Sequence, residues 1–233
     1  MKNITLGHEN NRPEVEGIKK EGVSELKELN KTTEAAHTTI ANNPDDVRSV
    51  AHSVAAIRTD PQIEDRDINL GIVTVRADTH RSYDSRQIAN WFINCANHEK
   101  MPLSVMKLVK LVYMAHGWCL AALDRPLIMD EVQAWDYGPI IPDIYYTFRT
   151  KDMYNAMPTF SVTEKPLEPI ITQLLKEVWE LYKNKSTSEL SDLTHIEGGP
   201  WDKVYRPSNR FSNIPKQMIA AHYKEKIKAA QNG

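Results

Sequence analysis

From Ser85 onward apolar residues recur every three to four positions, the spacing of helices that bury one face. A helix is predicted over Ser85 to His98, with Ile88, Trp91, Phe92 and Cys95 on one side and Asp84 placed to cap its first turn. A second follows over Val105 to Leu123: Ser104 caps it, and Leu108, Leu111, Val112, Ala115, Trp118, Cys119 and Ala122 form a broad apolar face. The linker Glu99 to Leu103 is short, which makes the two helices antiparallel neighbours. Alternation replaces helical spacing at Glu131–Trp135, predicting a short strand that stops at Gly138-Pro139 and turns sharply into a helix over Pro142 to Arg149. Thr150 to Pro169 reads as a loop. A long helix is predicted over Leu167 to Lys185, with Ile170, Ile171, Leu174, Leu175, Val178, Trp179 and Tyr182 toward a core. The capping-box sequence Ser186-Thr187-Ser188-Glu189 starts a short helix ending near His195. After the turn Gly198-Gly199-Pro200 comes a short helix Trp201 to Tyr205, and Ile214-Pro215 opens a final one to about Ala230, with Met218, Ile219, His222, Tyr223 and Ile227 on one face.

Before residue 80 the pattern thins. Val47, Val50, Val54 and Ile57 follow Asn43-Pro44-Asp45-Asp46 as a short capped amphipathic helix. Val15, Ile18, Leu26 and Leu29 form a weaker stripe interrupted by Gly17 and Gly22, and Gly71–Val75 is prone to form a strand. All eighteen Trp, Tyr and Phe residues lie after residue 80, so the first third lacks the side chains that dominate core burial. Charge divides at the same place, net −4 over residues 1–80 and net +2 over the remainder. The expected organisation is a polar, helical, partly ordered extension over 1–80 preceding a mainly α domain over 81–233, a compact helical domain with a short β element.

A formal net charge of −2 lacks the broad positive footprint of a protein that lives on nucleic acid, so none is expected as a partner. The lysines 216, 224, 226 and 228 on the last helix read as a solvated face. No apolar stretch follows Lys2, and no window reaches the roughly 18 apolar residues of a membrane span. A soluble, cytoplasmic protein is therefore expected. Its two cysteines, Cys95 and Cys119, sit in apolar helical patterns, where thiols are buried and inert, and no disulfide is expected.

Three chemical patterns fail on geometry. Cys95-x-x-His98 and His116-x-x-Cys119 supply soft zinc ligands on paper, but at 1.5 Å rise per residue an antiparallel hairpin separates the pairs by on the order of 15 Å, far beyond shared coordination. Ser191, Asp192 and His195 suggest a hydrolytic triad, yet residues this close on one short helix do not converge as a triad does, and no nucleophile elbow is present. A histidine at that position satisfies the carbonyls of a helix end instead. Gly198-Gly199-Pro200 is followed by Trp201 rather than by the context of a phosphate cradle. No catalytic residue, metal or cofactor is expected.

What remains is a set of ordered blocks: Ser85-x-x-Ile88-Ala89-x-Trp91-Phe92, Leu108 through His116, Ala134-Trp135-x-Tyr137-Gly138-Pro139, and Leu190-Ser191-x-Leu193-Thr194-His195 with Trp201. Together they resemble the Panacea antitoxin domain, also called SocA-like, from about Tyr83 to Tyr205. The resemblance implies a mainly helical, non-enzymatic antitoxin of a bacterial or phage toxin–antitoxin pair. Its implied partner is a protein toxin, encoded next to it, which it neutralises by binding. Trp135, Tyr137, Pro139, Thr194, His195 and Trp201 are the candidate partner-binding residues. Trp135, Tyr137 and Trp201 are rigid amphipathic side chains on turns, a kind enriched at interaction hot spots. Trp135 and Trp201 are expected to be mostly buried and Tyr137 to stand at a surface groove. Two alternatives are an adaptor or phage counter-defence protein that uses the same binding surface, and a hydrolase relying on Asp192 and His195.

Overall fold

The computed structural model describes residues 82–149 and 166–232. The N-terminal amphipathic stripes, the strand expected over Gly71–Val75, the boundary after residue 80 and most of the loop beginning at Thr150 lie outside them. In chain order the elements are α1 (Ser85–His98), α2 (Val105–Ala122), β1 (Gln133–Trp135), β2 (Gly138–Ile140), α3 (Pro142–Phe148), α4 (Pro169–Tyr182), α5 (Thr187–Asp192), α6 (Pro200–Val204), β3 (Ser212–Asn213) and α7 (Lys216–Asn232). Among the described residues seven helices and one small sheet make a mainly α fold, as the periodicity predicts.

Helix α2 organises the rest. Every residue in it except Met106 is buried, so the broad apolar face expected of it is in fact enclosure on all sides. By length and composition α2 would pass for a membrane span, contrary to the reading of the sequence, but it lies almost wholly inside the protein as a core helix. Helices α1, α4 and α7 pack along it, with α3, α5 and β2 closing the remaining surface. Helix α7 comes close to α2 at Gly117, where a Cβ would overlap the Tyr223 ring. That ring also meets Trp118 edge-on at 5.1 Å.

Helix ends carry the chemistry their sequences promise. The Asp84 side chain accepts from the Arg86 backbone N–H at 2.9 Å, and Ser104 accepts from that of Lys107 at 3.2 Å. Helix α1 stops in a Schellman motif: Lys100, at φ 56°, donates its N–H to Asn97, and Met101 donates to Ala96 at 2.8 Å. The capping box at α5 is reciprocal, with the Glu189 N–H on Ser186 Oγ and the Ser186 N–H on Glu189 Oε2. Across the domain, Glu168 receives both the Arg125 guanidinium and the Tyr83 hydroxyl, tying the start of α4 to the segments before α1 and after α2.

The β element is larger than the alternation suggests. Gly138-Pro139 does not end a single strand; it begins β2, which pairs antiparallel with β1 in a hairpin around Asp136-Tyr137. β3 then pairs with the other edge of β1, giving the order β2-β1-β3. Pro139 sits opposite Ala134 in an outer strand, where its missing N–H leaves no inner ladder incomplete.

Candidate partner-binding site

Lys110 lies in the middle of α2 with no exposed surface. Its Nζ donates to the carbonyl of Tyr137 at 2.6 Å and to that of Pro139 at 3.3 Å. Burial pushes its ammonium down to about 7, while the two carbonyls that accept from it favour the charged form. The hairpin is thus pinned to the core helix through its backbone, leaving the Tyr137 side chain 73% exposed.

The same turn depends on Gly138. Neither Asp136 nor Tyr137 has a positive φ, so this is not a primed hairpin turn; the reversal is completed by Gly138 at φ 95°. A Cβ there would also crowd Lys110 Nζ, His195 Cε1 and Thr194 Oγ1. Helix α5 and the turn after it deliver those last two groups. Thr194 is buried and donates its hydroxyl to the Ser191 carbonyl at 2.8 Å, and His195 Nδ1 meets the same carbonyl at 2.6 Å. Burial pulls the imidazole below its ordinary value, helped by nearby Lys110 and opposed by the Ser191 carbonyl.

Trp201 joins the two motifs. Its indole N–H donates to the Trp135 carbonyl at 2.8 Å, its ring stands 4.1 Å from that of His195, and Tyr205 stacks on it at 4.6 Å. All six residues singled out from sequence therefore meet around Gly138. Their roles differ: Pro139 and Thr194 are buried, Trp135, His195 and Trp201 are half-buried, and Tyr137 projects. Trp135 and Trp201 pack against the core with no more than about a third of their surface left open, and Tyr137 is exposed, the split expected from sequence.

That surface holds groups the sequence reading missed. Trp135 contacts Phe211 at 5.1 Å, Tyr145 at 5.3 Å and Tyr146 at 6.0 Å. The Arg149 guanidinium lies over the Tyr146 ring at 4.9 Å. Asp136 accepts from Tyr205 at 3.0 Å and pairs with Arg210 at 3.2 Å. Phe211 is held at φ 69°, where a side chain other than glycine costs roughly 1–2 kcal/mol, yet its ring is 55% exposed. The helix α3 is expected from sequence, but β3 and its meeting with α3 are not, because these residues gather from segments about 65 positions apart. Lys110 did leave a signal, a lone charge inside the unbroken run Leu108–Val112.

Among the described residues no group of three or more His, Cys, Asp or Glu is placed to hold a metal ion. Cys95 is half-buried and Cys119 buried, and burial pushes their thiols up to about 11 and about 12. The lysines of α7 are not a simple solvated stripe. Lys216 donates to the Met129 carbonyl, Lys224 pairs with Asp124, Lys226 lies over Tyr223 and Lys228 pairs with Glu225.

Residues 108–202 match the family model described as Antitoxin SocA-like, Panacea domain. Antitoxin SocA of Caulobacter vibrioides (strain NA1000 / CB15N) is 29% identical over 136 residues, which cover 53% of this chain and 71% of that protein. No solved structure matches the chain at a significant level.

Proposed function

We propose that this chain, whose residues 108–202 belong to the SocA-like Panacea domain family, is an antitoxin that neutralises a protein toxin by binding it directly. The observation that carries this reading is a presented aromatic anchor on a clamped backbone: Tyr137 is 73% exposed while Lys110 holds its carbonyl from inside the core. An anchor ordered before the partner arrives loses little freedom on binding, which favours affinity. Trp135, Pro139, Thr194, His195 and Trp201 build the platform that holds it. Against a hydrolase, the His195 Nδ1 is held by the Ser191 carbonyl of the preceding helix rather than by a nucleophile.

Co-expression with the protein encoded next to it tests the proposal. The wild-type chain is expected to rescue growth and to co-purify with that protein; Tyr137→Ala should weaken both without lowering Tm. Asp192→Asn and His195→Ala should impair rescue only as far as they lower Tm, since their work is structural. No rescue and no complex with wild type would defeat the antitoxin reading. Loss of rescue by a fully stable His195→Ala, together with substrate turnover by wild type alone, would restore the enzyme.

A further inference from the structure

Beside Tyr137 the hairpin, α3 and the turn before β3 bring together a patch that the fold itself does not use up. Tyr146 is 56% exposed and Phe211 55%, with the half-buried Trp135 ring in contact with both. Phe211 keeps a left-handed backbone that glycine would adopt freely, although its ring is mostly in water. Stability alone does not account for an aromatic there; strained, exposed positions of this kind are drawn to function.

Charge then distinguishes what this patch fits. The Arg149 guanidinium rests on the Tyr146 and Tyr145 rings and has no carboxylate partner among the described residues. Of the described acidic residues, the two nearest along the chain are engaged elsewhere, Asp136 with Arg210 and Asp143 with Arg86. A cation lying flat on aromatic faces keeps its donors directed outward for a planar acceptor.

We infer that the patch of Trp135, Tyr146, Phe211 and Arg149 is the toxin's docking surface, and that it takes a toxin segment in which an apolar side chain stands beside a carboxylate. The apolar group seats between Tyr146 and Phe211 and the carboxylate meets Arg149. This inference rests on the antitoxin reading and specifies its chemistry.

The test uses the full chain and the purified protein encoded next to it, with affinity measured by calorimetry at two salt concentrations. Arg149→Glu is expected to weaken binding at least tenfold, and Arg149→Gln to reduce the loss of affinity that salt causes in wild type. Phe211→Gly should weaken binding about tenfold while Tm holds or rises, because it relieves the backbone; this separates a binding role from a structural one. Wild-type affinity in both Arg149→Glu and Phe211→Gly would overturn the docking surface while leaving the antitoxin reading intact, and no binding by wild type would end both. Hydroxyl-radical labelling and sedimentation of the free chain address the other occupants. Tyr146 and Phe211 should label readily and the mass should be independent of concentration. Protection of both residues in a monomer would mean that the chain covers its own patch, and a dimer broken by Phe211→Gly would make the patch a self-interface; either result overturns the proposal.

Discussion

Lys110 has no water to share its charge with, and that fact sets a pH dependence for the whole fold. Its ordinary value is 10.5 and burial brings the folded value to about 7. Between those limits the unfolded chain holds a proton that the folded chain has released, so stability rises with pH across the window from about 7 to about 10.5 and levels off below it. Denaturant unfolding at pH 7 and pH 8.5 should show this gain in wild type, below the pH at which the raised Cys95 and Cys119 thiols begin to oppose it. Lys110→Met should lose most of it, keeping the upper part contributed by Lys226, which burial brings to about 8. An unchanged pH slope in Lys110→Met would mean that the ammonium stays charged on its two carbonyls. The same variant strips the Tyr137 and Pro139 carbonyls of their donor, at a cost of about 1–3 kcal/mol for buried groups left unsatisfied. His195 acts at this scale too, but as a local brace: its ring takes up the end of α5, the role its position after a short helix predicts.

At the scale of elements, the contact between α2 and α7 turns on a single missing methyl group. Gly117 sits in a helix interior, where alanine is intrinsically favoured by about 1 kcal/mol, yet a Cβ would overlap the Tyr223 ring. Gly117→Ala should therefore destabilise the protein by about 1–3 kcal/mol, against the propensity. Adding Tyr223→Leu, which opens space at the contact, should recover part of that loss when both are measured by chemical denaturation. Additive effects of the two substitutions would show that the helices do not meet there. Elements of this kind also explain what the sequence makes legible. Caps at Asp84, Ser104 and Ser186 and the apolar spacing of α1, α4 and α7 are local signals, and each predicts a helix that is present. The hairpin and β3 are not local. Gly138 looks like a stop because glycine before proline breaks regular structure, but here its positive φ closes the turn between two strands, and Ser212–Asn213 gains strand character only from lying beside β1. The candidate site divides in the same way: its motif residues were visible as residues, while Lys110, Tyr146, Arg149 and Phe211 acquire meaning only when the chain brings them to the hairpin.

For the molecule as a whole, the described segments share one core, and its outermost N-terminal tie is Tyr83. That side chain is buried, its N–H donates to Leu127 at 2.8 Å and its hydroxyl to Glu168 at 3.0 Å. A chain beginning at Arg81 keeps these bonds, every aromatic residue and all of α2, so it should remain soluble and unfold in one cooperative transition. Residues 1–80 differ in kind: they carry net −4 and no aromatic residue, which suits contact with a basic surface better than formation of a core. Their removal should thus weaken toxin binding by more than it lowers Tm, and the weakening should shrink as salt is raised, because a contact made by exposed charges is screened. The comparison requires both chains, one denaturation curve each and binding at low and high ionic strength. Aggregation or a broad, non-cooperative transition in the shorter chain would place part of residues 1–80 in the core and remove the division into extension and domain. Equal affinity of the two chains at low salt would leave the division standing and confine recognition to the domain that holds the hairpin.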